Sequence, residues 1–268
     1  MKQSNPSAPP AAVPRRSGTL RTVTALLLRE MSTTYGRSAL GYLWAILEPV
    51  GGIALMSIIF SFAFRAPAIG TNFPLFFASG ILPFMAYTST AQKISVSLRF
   101  SRALLFYPGV TFVDAIVARF LMNAITEILI FSIVLAGIII AFDLRVILDL
   151  PALVLAFIMA FVLALGVGTL NCYLLSVYPL WERAWAILNR PMFIISGIFF
   201  VYDTIPLPYR DWLWWNPLVH LVGQARSGVY VTYDSSYVSP LYVFSIALVT
   251  LATGLLLLRR HYREIINT

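Results

Sequence analysis

The chain has 268 residues, of which 59% are hydrophobic and 11% charged, and its mean hydropathy is +0.83. Because soluble domains carry about a quarter charged residues, this composition excludes an ordinary soluble protein and indicates an integral membrane protein. The net charge is +8, but basic residues in a membrane protein set its topology, so no nucleic-acid partner is predicted. The single cysteine, Cys172, excludes an internal disulfide.

The N-terminal region divides into two parts. Residues 1–18 are rich in Pro, Ala and Ser without apolar periodicity, which predicts a disordered tail. Residues 19–37 alternate apolar clusters with arginines, which predicts an amphipathic helix lying on the inner membrane surface. No cleavable signal pattern precedes the first long apolar run, so we expect the N-terminus to stay uncleaved.

Six apolar runs follow. About 20 apolar residues cross a bilayer as a helix; five runs reach or approach that length, and a sixth, 184–201, is shorter and begins with polar residues. The predicted crossings are 43–64, 73–91, 113–142, 151–175, 184–201 and 238–258. The predicted fold class is therefore an all-α integral membrane protein with six transmembrane helices.

The distribution of Lys and Arg predicts the topology. Thirteen fall on the face that carries both termini, four fall on the opposite face, and Arg119 and Arg190 lie within predicted helices. Cytoplasmic segments are enriched in basic residues, so both termini are expected in the cytoplasm.

The external segment between the fifth and sixth crossings is unlike an ordinary loop. Asn216 and Pro217 are a favourable N-cap and first helical residue, and they predict a helix over 217–230. Such a helix is about 21 Å long, too short to cross. We expect 204–230 to be re-entrant or interfacial, with the tryptophans at 212, 214 and 215 as anchors.

Polar residues inside the apolar runs are candidate functional positions. Arg119, Asn123 and Glu127 are spaced by four, so they share one helical face. They form either an internal ion pair that orients the helix or part of a translocation path. For Glu48, followed by Pro49, a kink with a solvated carboxylate is favoured over an ion site.

Several motifs are absent. The chain has neither GxxxxGK[ST] nor GxGxxG, so no nucleotide site of those kinds is predicted. Its two histidines, His220 and His261, fall on opposite sides of the membrane, which argues against a membrane-embedded enzyme or a metal site. A short helix over 96–107, ended by Pro108 and Gly109, is predicted on the cytoplasmic side, as an interfacial turn or as a contact for a motor protein.

A series of segments carries a family resemblance. They are GRSALGYLWAILEP (36–49), LFYPGVTFVDAIVAR (105–119), YPLWERAWAILNRPMFIISGIFF (178–200) and SGIFFVYDTIPLPYRDWLWWNPLVHLVGQARSG (196–228). In this order they resemble the permease subunit of ABC-2 type polysaccharide exporters over about residues 20–265. Within that family they are most similar to the capsular polysaccharide export branch, which is KpsM-like.

The resemblance implies an assembly. Two permeases would pair, and two copies of a separate ATPase subunit, which holds ATP and Mg, would bind them, so this chain would carry no cofactor. Helix 19–37 would be a gate helix, 96–107 a coupling helix, and 176–183 a second internal loop that contacts the ATPase. The implied ATPase contacts are Leu98, Arg99, Arg102, Phe106, Tyr107, Glu182 and Arg183.

A polysaccharide path needs flat apolar rings beside polar groups. The aromatic candidates near helix ends are Tyr42, Trp44, Tyr87, Phe193, Phe199, Phe200 and Tyr202, although Trp and Tyr also gather at membrane interfaces in any such protein. The polar candidates are Glu48, Arg119, Asn123, Glu127 and Arg190. Arg190 either faces a cavity between the two permeases, where it would attract an anionic lipid-linked glycan, or extends to the interface beside a kink at Pro191.

The sequence therefore predicts a non-catalytic permease of the bacterial inner membrane that exports lipid-linked capsular polysaccharide. Export of O-antigen or teichoic acid is the alternative within the family. An ion-driven carrier would use Glu48, Glu127 and Arg119 as a relay and would need no ATPase. Whether periplasmic export proteins contact the external elements stays open.

Overall fold

The computed structural model describes residues 19–34, 39–106 and 110–267. In these ranges the chain forms helices and no strands. The helices are α1 (Thr19–Thr34), α2 (Ala39–Ala63), α3 (Phe73–Ser95), α4 (Ser97–Leu105), α5 (Phe112–Ala141), α6 (Leu150–Val177), α7 (Pro179–Ile194), α8 (Tyr209–Trp214), α9 (Pro217–Val229) and α10 (Pro240–Asn267), with a 3-10 turn at Tyr202–Thr204. The predicted tail over 1–18 lies outside the described residues.

Four helices in the described ranges are long and apolar enough to cross a membrane. They are Leu43–Ala63 in α2, Phe112–Ala141 in α5, Leu150–Val177 in α6 and Pro240–Tyr262 in α10. The other two predicted crossings correspond to α3 and α7. Helix α3 has 23 residues and is about 35 Å long, whereas α7 has 16 residues and is about 24 Å long, less than the thickness of the hydrocarbon core.

Helix α6 lies at the centre of the bundle, in contact with α3, α9 and α10. Two glycines allow the close approach of α6 and α10. A Cβ atom at Gly166 would collide with the carbonyl oxygen of Ala247, and one at Gly254 would lie 2.7 Å from the backbone nitrogen of Leu170. Small residues at such crossings let helix backbones pack closely inside a membrane. Helix α1 packs along α5.

The connection between α6 and α7 differs from the sequence prediction. The expected internal loop at 176–183 is reduced to Tyr178, because α6 continues to Val177 and Pro179 begins α7. Proline is favoured in the first helical turn, because the N–H groups there have no hydrogen-bond partner within the helix and the missing one costs nothing. Glu182 therefore lies in the first turn of α7, where a carboxylate is favourable for the helix dipole.

The far end of α7 also differs from the prediction. The expected crossing over 184–201 stops at Ile194, and the chain turns through Gly197, whose φ of +86° belongs to the left-handed region that favours glycine. Beyond this turn, α9 begins at Pro217, and the Asn216 side chain accepts a hydrogen bond from the N–H of Leu218 (3.0 Å), as the sequence predicts.

Candidate functional site

A polar cavity of about 350 Å³ lies between α2, α3 and α5. It brings together four of the sequence-predicted path residues, Trp44, Glu48, Asn123 and Glu127. The remaining residues of its wall are Ala45, Pro49, Leu82, Met85, Thr88, Ser89, Gln92, Lys93, Thr126 and Ile130. The cavity thus combines one indole ring with two carboxylates, two amides, hydroxyls and an ammonium group.

Charged side chains are expensive inside a membrane, so they face protein or water. Glu48 and Glu127 share the wall of the polar cavity with Lys93. The two carboxylates and the ammonium group are of opposite charge, which lowers the cost of placing them between apolar helices. Such groups can exchange hydrogen bonds with a hydroxylated molecule, and the indole of Trp44 offers a flat apolar face.

Arg119 does not line the polar cavity. Arg119 as a whole is 4% exposed. Its guanidinium donates from Nη1 to the carbonyl of Lys93 (3.0 Å) and lies 3.9 Å from the ring centroid of Phe100. Asn123 donates to the backbone carbonyl of Arg119 (2.7 Å). The predicted stripe therefore divides: Asn123 and Glu127 face the cavity, while Arg119 fastens α5 to the end of α3 and to α4.

A second cavity of about 440 Å³, the α7 cavity, lies on the other side of α3, against α6 and α7. Thr88 and Gln92 line both cavities, so the two flank one stretch of α3. Of the predicted residues, Tyr87, Glu182 and Arg190 line it. The rest of its wall consists of Phe84, Ala91, Ser95, Val96, Leu175, Trp185, Ala186 and Asn189.

Three aromatic candidates pack against their own chain instead. The ring of Phe199 lies 5.3 Å from Phe193 and 5.8 Å from Phe60, between centroids. Tyr202 is buried, stacks on Tyr237 at 3.9 Å and donates its hydroxyl to the carbonyl of Arg210 (3.1 Å). These rings stabilise the turn beyond α7. The side chain of Tyr42 lies outside the described residues.

Helix α4 presents only part of its predicted contact set to the surface. Leu98 is 2% exposed and packs against Ile94, Ile116 and Cys172, so it anchors α4 to the bundle and is not a surface contact. Arg102 is exposed, and so is Phe106, at 61%. Tyr107 lies outside the described residues. The outer surface of α4 thus combines a basic and an apolar side chain.

Two predicted ATPase contacts meet each other. Arg99 of α4 forms an ion pair with Glu182 of α7 (Nη1 to Oε2, 3.0 Å) and donates from Nη2 to the carbonyl of Leu175 near the end of α6 (2.6 Å). The two ion-paired side chains are 48% and 63% exposed, so water screens the pair, and its stabilisation is on the order of 0–1 kcal/mol. Arg183 is exposed on the same turn of α7.

At the opposite end of the bundle the structure reveals a buried charge. Arg226 of α9 is 1% exposed, donates to the carbonyls of Phe200 (2.6 Å) and Ile198 (2.8 Å), and lies 4.4 Å from the ring centroid of Phe76. Burial lowers the pKa of Arg226. This arginine fixes the turn that follows α7. From the sequence it is predicted only to be one of the four basic residues on the face opposite the termini.

His220 is a second buried residue at this end. Its Nδ1 accepts a hydrogen bond from the N–H of Ser239 (3.2 Å), so the neutral ring carries its proton on Nε2 and donates it to the carbonyl of Trp214 (2.8 Å). Burial lowers the pKa of His220, which favours this neutral form. Both ring nitrogens are occupied by the backbone, which indicates a structural role.

Three cavity residues, Gln92, Lys93 and Trp185, were not predicted from the sequence. The second predicted crossing ends at residue 91, but α3 continues to Ser95 and carries Gln92 and Lys93 into the cavity wall. Trp185 follows Glu182 and Arg183, which were interpreted as ATPase contacts, so it was not considered for a cavity wall. Among the residues that the structure describes, no three His, Cys, Asp or Glu side chains are grouped to hold a metal ion.

Comparison with known proteins places the chain in a family. A model of the ABC-2 type transporter family matches residues 21–230. The chain is 33% identical over 238 residues to the polysialic acid transport protein KpsM of Escherichia coli, covering 89% of this chain and 92% of that protein.

Two further relatives are named for capsule export. The capsule polysaccharide export inner-membrane protein CtrC of Neisseria meningitidis is 27% identical over 246 residues, covering 90% of this chain and 91% of CtrC. The protein of the same description, BexB, from Haemophilus influenzae is 27% identical over 225 residues, covering 80% and 83%. The chain described here, with its apolar helices around two cavities, belongs to the ABC-2 type transporter family.

Proposed function

We propose that this chain is the membrane-spanning permease subunit of an ABC exporter that moves lipid-linked capsular polysaccharide across the inner membrane. The observation that carries the proposal is the match along most of the chain to proteins named for polysialic acid or capsule polysaccharide transport. ATP hydrolysis belongs to a separate ATPase subunit, and this chain contributes the path and the contact surface. The two cavities beside α3 support that assignment.

The glycan path runs along α3. A sugar chain presents hydroxyl groups and flat apolar ring faces, so its lining needs polar side chains next to aromatic ones. The polar cavity offers Trp44 with Glu48, Asn123 and Glu127. The α7 cavity offers Tyr87 and Trp185 with Asn189 and Arg190. Thr88 and Gln92 join the two linings, so a glycan passing along α3 can exchange partners between them.

Arg190 supplies positive charge to the α7 cavity and attracts the acidic groups of the glycan or of its lipid carrier. We expect Arg190→Ala to lower export about tenfold, the effect of about 1.4 kcal/mol of lost attraction, and Arg190→Lys to keep most of it. Export is measured as surface polysaccharide in a complemented strain, with protein level checked by immunoblot. If Arg190→Ala and Arg190→Leu both export at the wild-type rate, Arg190 has no role in the path.

The proposed orientation places both termini and α4 in the cytoplasm, because the basic residues concentrate on that side. Two copies of the chain form the permease. The structure leaves α7 without a buried side chain and α2 with exposed apolar side chains along its length, so these helices are available to face a second copy or lipid. Each copy binds one ATPase subunit through the exposed outer surface of α4, where Arg102 and Phe106 lie.

Deletion of the gene tests the proposal. We expect loss of surface polysaccharide with accumulation of the lipid-linked polymer in the cytoplasm, and recovery on complementation with the wild-type chain. The matched control is complementation with the chain and a variant ATPase subunit that binds ATP without hydrolysing it, which should not restore export. Normal surface polysaccharide in the deletion strain would contradict the proposal.

A further inference from the structure

The contact between α4 and α7 is made by charged side chains that sit beside a cavity. Arg99 of α4 pairs with Glu182 of α7 at 3.0 Å, and Glu182 is part of the wall of the α7 cavity. Trp185 and Arg190 follow Glu182 by one and two helical turns on the same helix and line the same cavity. The ion pair therefore ties the wall of this cavity to the short helix that presents the surface for a partner.

The two bonds of Arg99 differ in what they hold. Nη2 donates to the carbonyl of Leu175 at 2.6 Å, which attaches α4 to the end of α6. Nη1 reaches Glu182 on α7, where both side chains are about half exposed and water competes for each charge. The bond to α6 uses a fixed backbone atom, whereas the bond to α7 depends on two flexible side chains. The ion pair is the part of this junction that opens most readily.

Helix α7 has few buried contacts that would prevent it from moving when the ion pair opens. No side chain of α7 is buried in the protomer. Its start is attached to α6 by the hydrogen bond from Trp181 Nε1 to Asn171 Oδ1 (2.8 Å). Its far end is held by the ring of Phe193, which packs against Phe84 and Phe199. The stretch between these two attachments, which carries Glu182 and Trp185, can therefore move outward at little cost in buried surface. Outward movement of α7 would widen the α7 cavity, because α7 forms one of its walls.

We propose that the Arg99–Glu182 ion pair is a latch, closed in this structure, that must open in each export cycle so that α7 can move away from α3 and α6. The inference rests on the proposed function, since it takes α4 as the contact for the ATPase subunit. Displacement of α4 by that subunit separates Arg99 from Glu182 and releases α7. Arg99 and Glu182 act as positioning residues, setting the position of the wall that Trp185 and Arg190 form.

Reversible cross-linking distinguishes an ion pair that opens in each export cycle from one that stays closed. Cys172 is the single cysteine and is fully buried, so the chain offers a low background for thiol chemistry. The double variant Arg99→Cys, Glu182→Cys is reconstituted with the ATPase subunit and treated with a short bis-methanethiosulfonate reagent that spans the missing side-chain length. We expect export to fall at least tenfold when the two positions are joined and to recover when dithiothreitol cleaves the link. Each single-cysteine variant, treated in the same way, should keep its rate.

Neutralising the pair gives a second, independent readout. A latch resists opening, and Glu182→Gln removes the ion pair that supplies this resistance. The variant should therefore keep at least half of the wild-type export, and its ATP hydrolysis in the absence of glycan should rise about two- to fivefold. The matched control is Asp211→Asn, which neutralises an exposed carboxylate at the α8 end and should change neither quantity.

Three results would overturn the latch. The first is a cross-linked double variant that exports as fast as it does after dithiothreitol has cleaved the link, and the second is a pair of cysteines that the reagent never joins. The third is a Glu182→Gln variant that loses export while its protein level is normal. Wild-type protein in the same vesicles reports on the proposed function separately. If it exports in an ATP-dependent manner, the function stands whatever the cross-link does.

Discussion

Two arginines at opposite ends of the bundle show how burial changes the use of the same side chain. Arg226 and Arg99 each form two hydrogen bonds from their terminal nitrogens, but Arg226 is 1% exposed and Arg99 is about half exposed. Around Arg226 the partners are backbone carbonyls enclosed by aromatic rings, so breaking those bonds leaves buried polar atoms unsatisfied. Around Arg99 water replaces whatever bond is lost. The α8–α9 end is thus built to keep its shape, and the α4 end to change it.

The largest expected effect comes from removing the buried charge. Arg226→Met should lower the free energy of unfolding by about 2–5 kcal/mol, because two buried carbonyls, of Phe200 and Ile198, lose their donor. Unfolding in mixed detergent micelles measures it. The control is Arg145→Met at an exposed position, expected to change stability by less than about 0.5 kcal/mol. Equal stability of both variants would show that Arg226 does not hold the α8–α9 end together, and the contrast with Arg99 would fail.

The next effect tests the rigid part of the bundle between the two ends. Gly254→Ala places a Cβ atom 2.7 Å from the backbone of Leu170, which cannot rotate away, so α6 and α10 must separate. We expect a loss of about 1–3 kcal/mol in the same unfolding measurement. Gly137→Ala in α5 is the matched control, since nothing lies within 4 Å of its added Cβ and alanine favours a helix. A Gly254→Ala protein as stable as the Gly137→Ala protein would contradict the close packing.

The smallest expected effect sharpens the account of the α8–α9 end. His220 is held neutral in the fold, with a pKa below its ordinary value of about 6.5. Below about pH 6.5, the unfolded chain binds a proton at His220 that the folded protein does not bind. The contribution of the neutral ring to the free energy of unfolding is therefore complete above about pH 6.5 and is lost as the pH falls below that value. The slope for one proton is at most about 1.4 kcal/mol per pH unit.

Thermal unfolding between pH 8 and pH 5 measures the decline. His220→Gln removes the titrating group and should flatten the dependence, while His261, the other histidine, remains in both proteins. An unchanged slope in His220→Gln would assign the pH dependence to other groups.

Local patterns predicted the parts of the fold that local chemistry determines. Helix α9 could be placed because Asn216 and Pro217 specify a helix start by themselves. The start of α7 was missed because Glu182 and Arg183 suggested a solvated loop, although charged residues are equally suited to an exposed first helical turn. Sequence periodicity also gave no means of knowing that Leu98 faces the bundle, since its partners come from three other helices.

The sequence identified single residues of the site but not which of them lie together. Glu48, Asn123 and Glu127 stood out as polar residues in apolar helices, and the structure brings them to one cavity. Arg119 shares their spacing, but residues four apart are rotated by about 40° on a helix of 3.6 residues per turn. Arg119 lies toward α4, with its guanidinium over the ring of Phe100. The Arg99–Glu182 pair joins residues 83 apart in the chain, which no local pattern reveals.

The most direct measurement of the central claim is translocation in sealed vesicles. The chain is reconstituted with and without its ATPase subunit, and movement of a labelled lipid-linked polysaccharide is followed with ATP, without ATP, and across a proton gradient. We predict transport only when the ATPase subunit and hydrolysable ATP are both present. Transport by the chain alone, driven by the gradient, would contradict the account and identify an ion-coupled carrier.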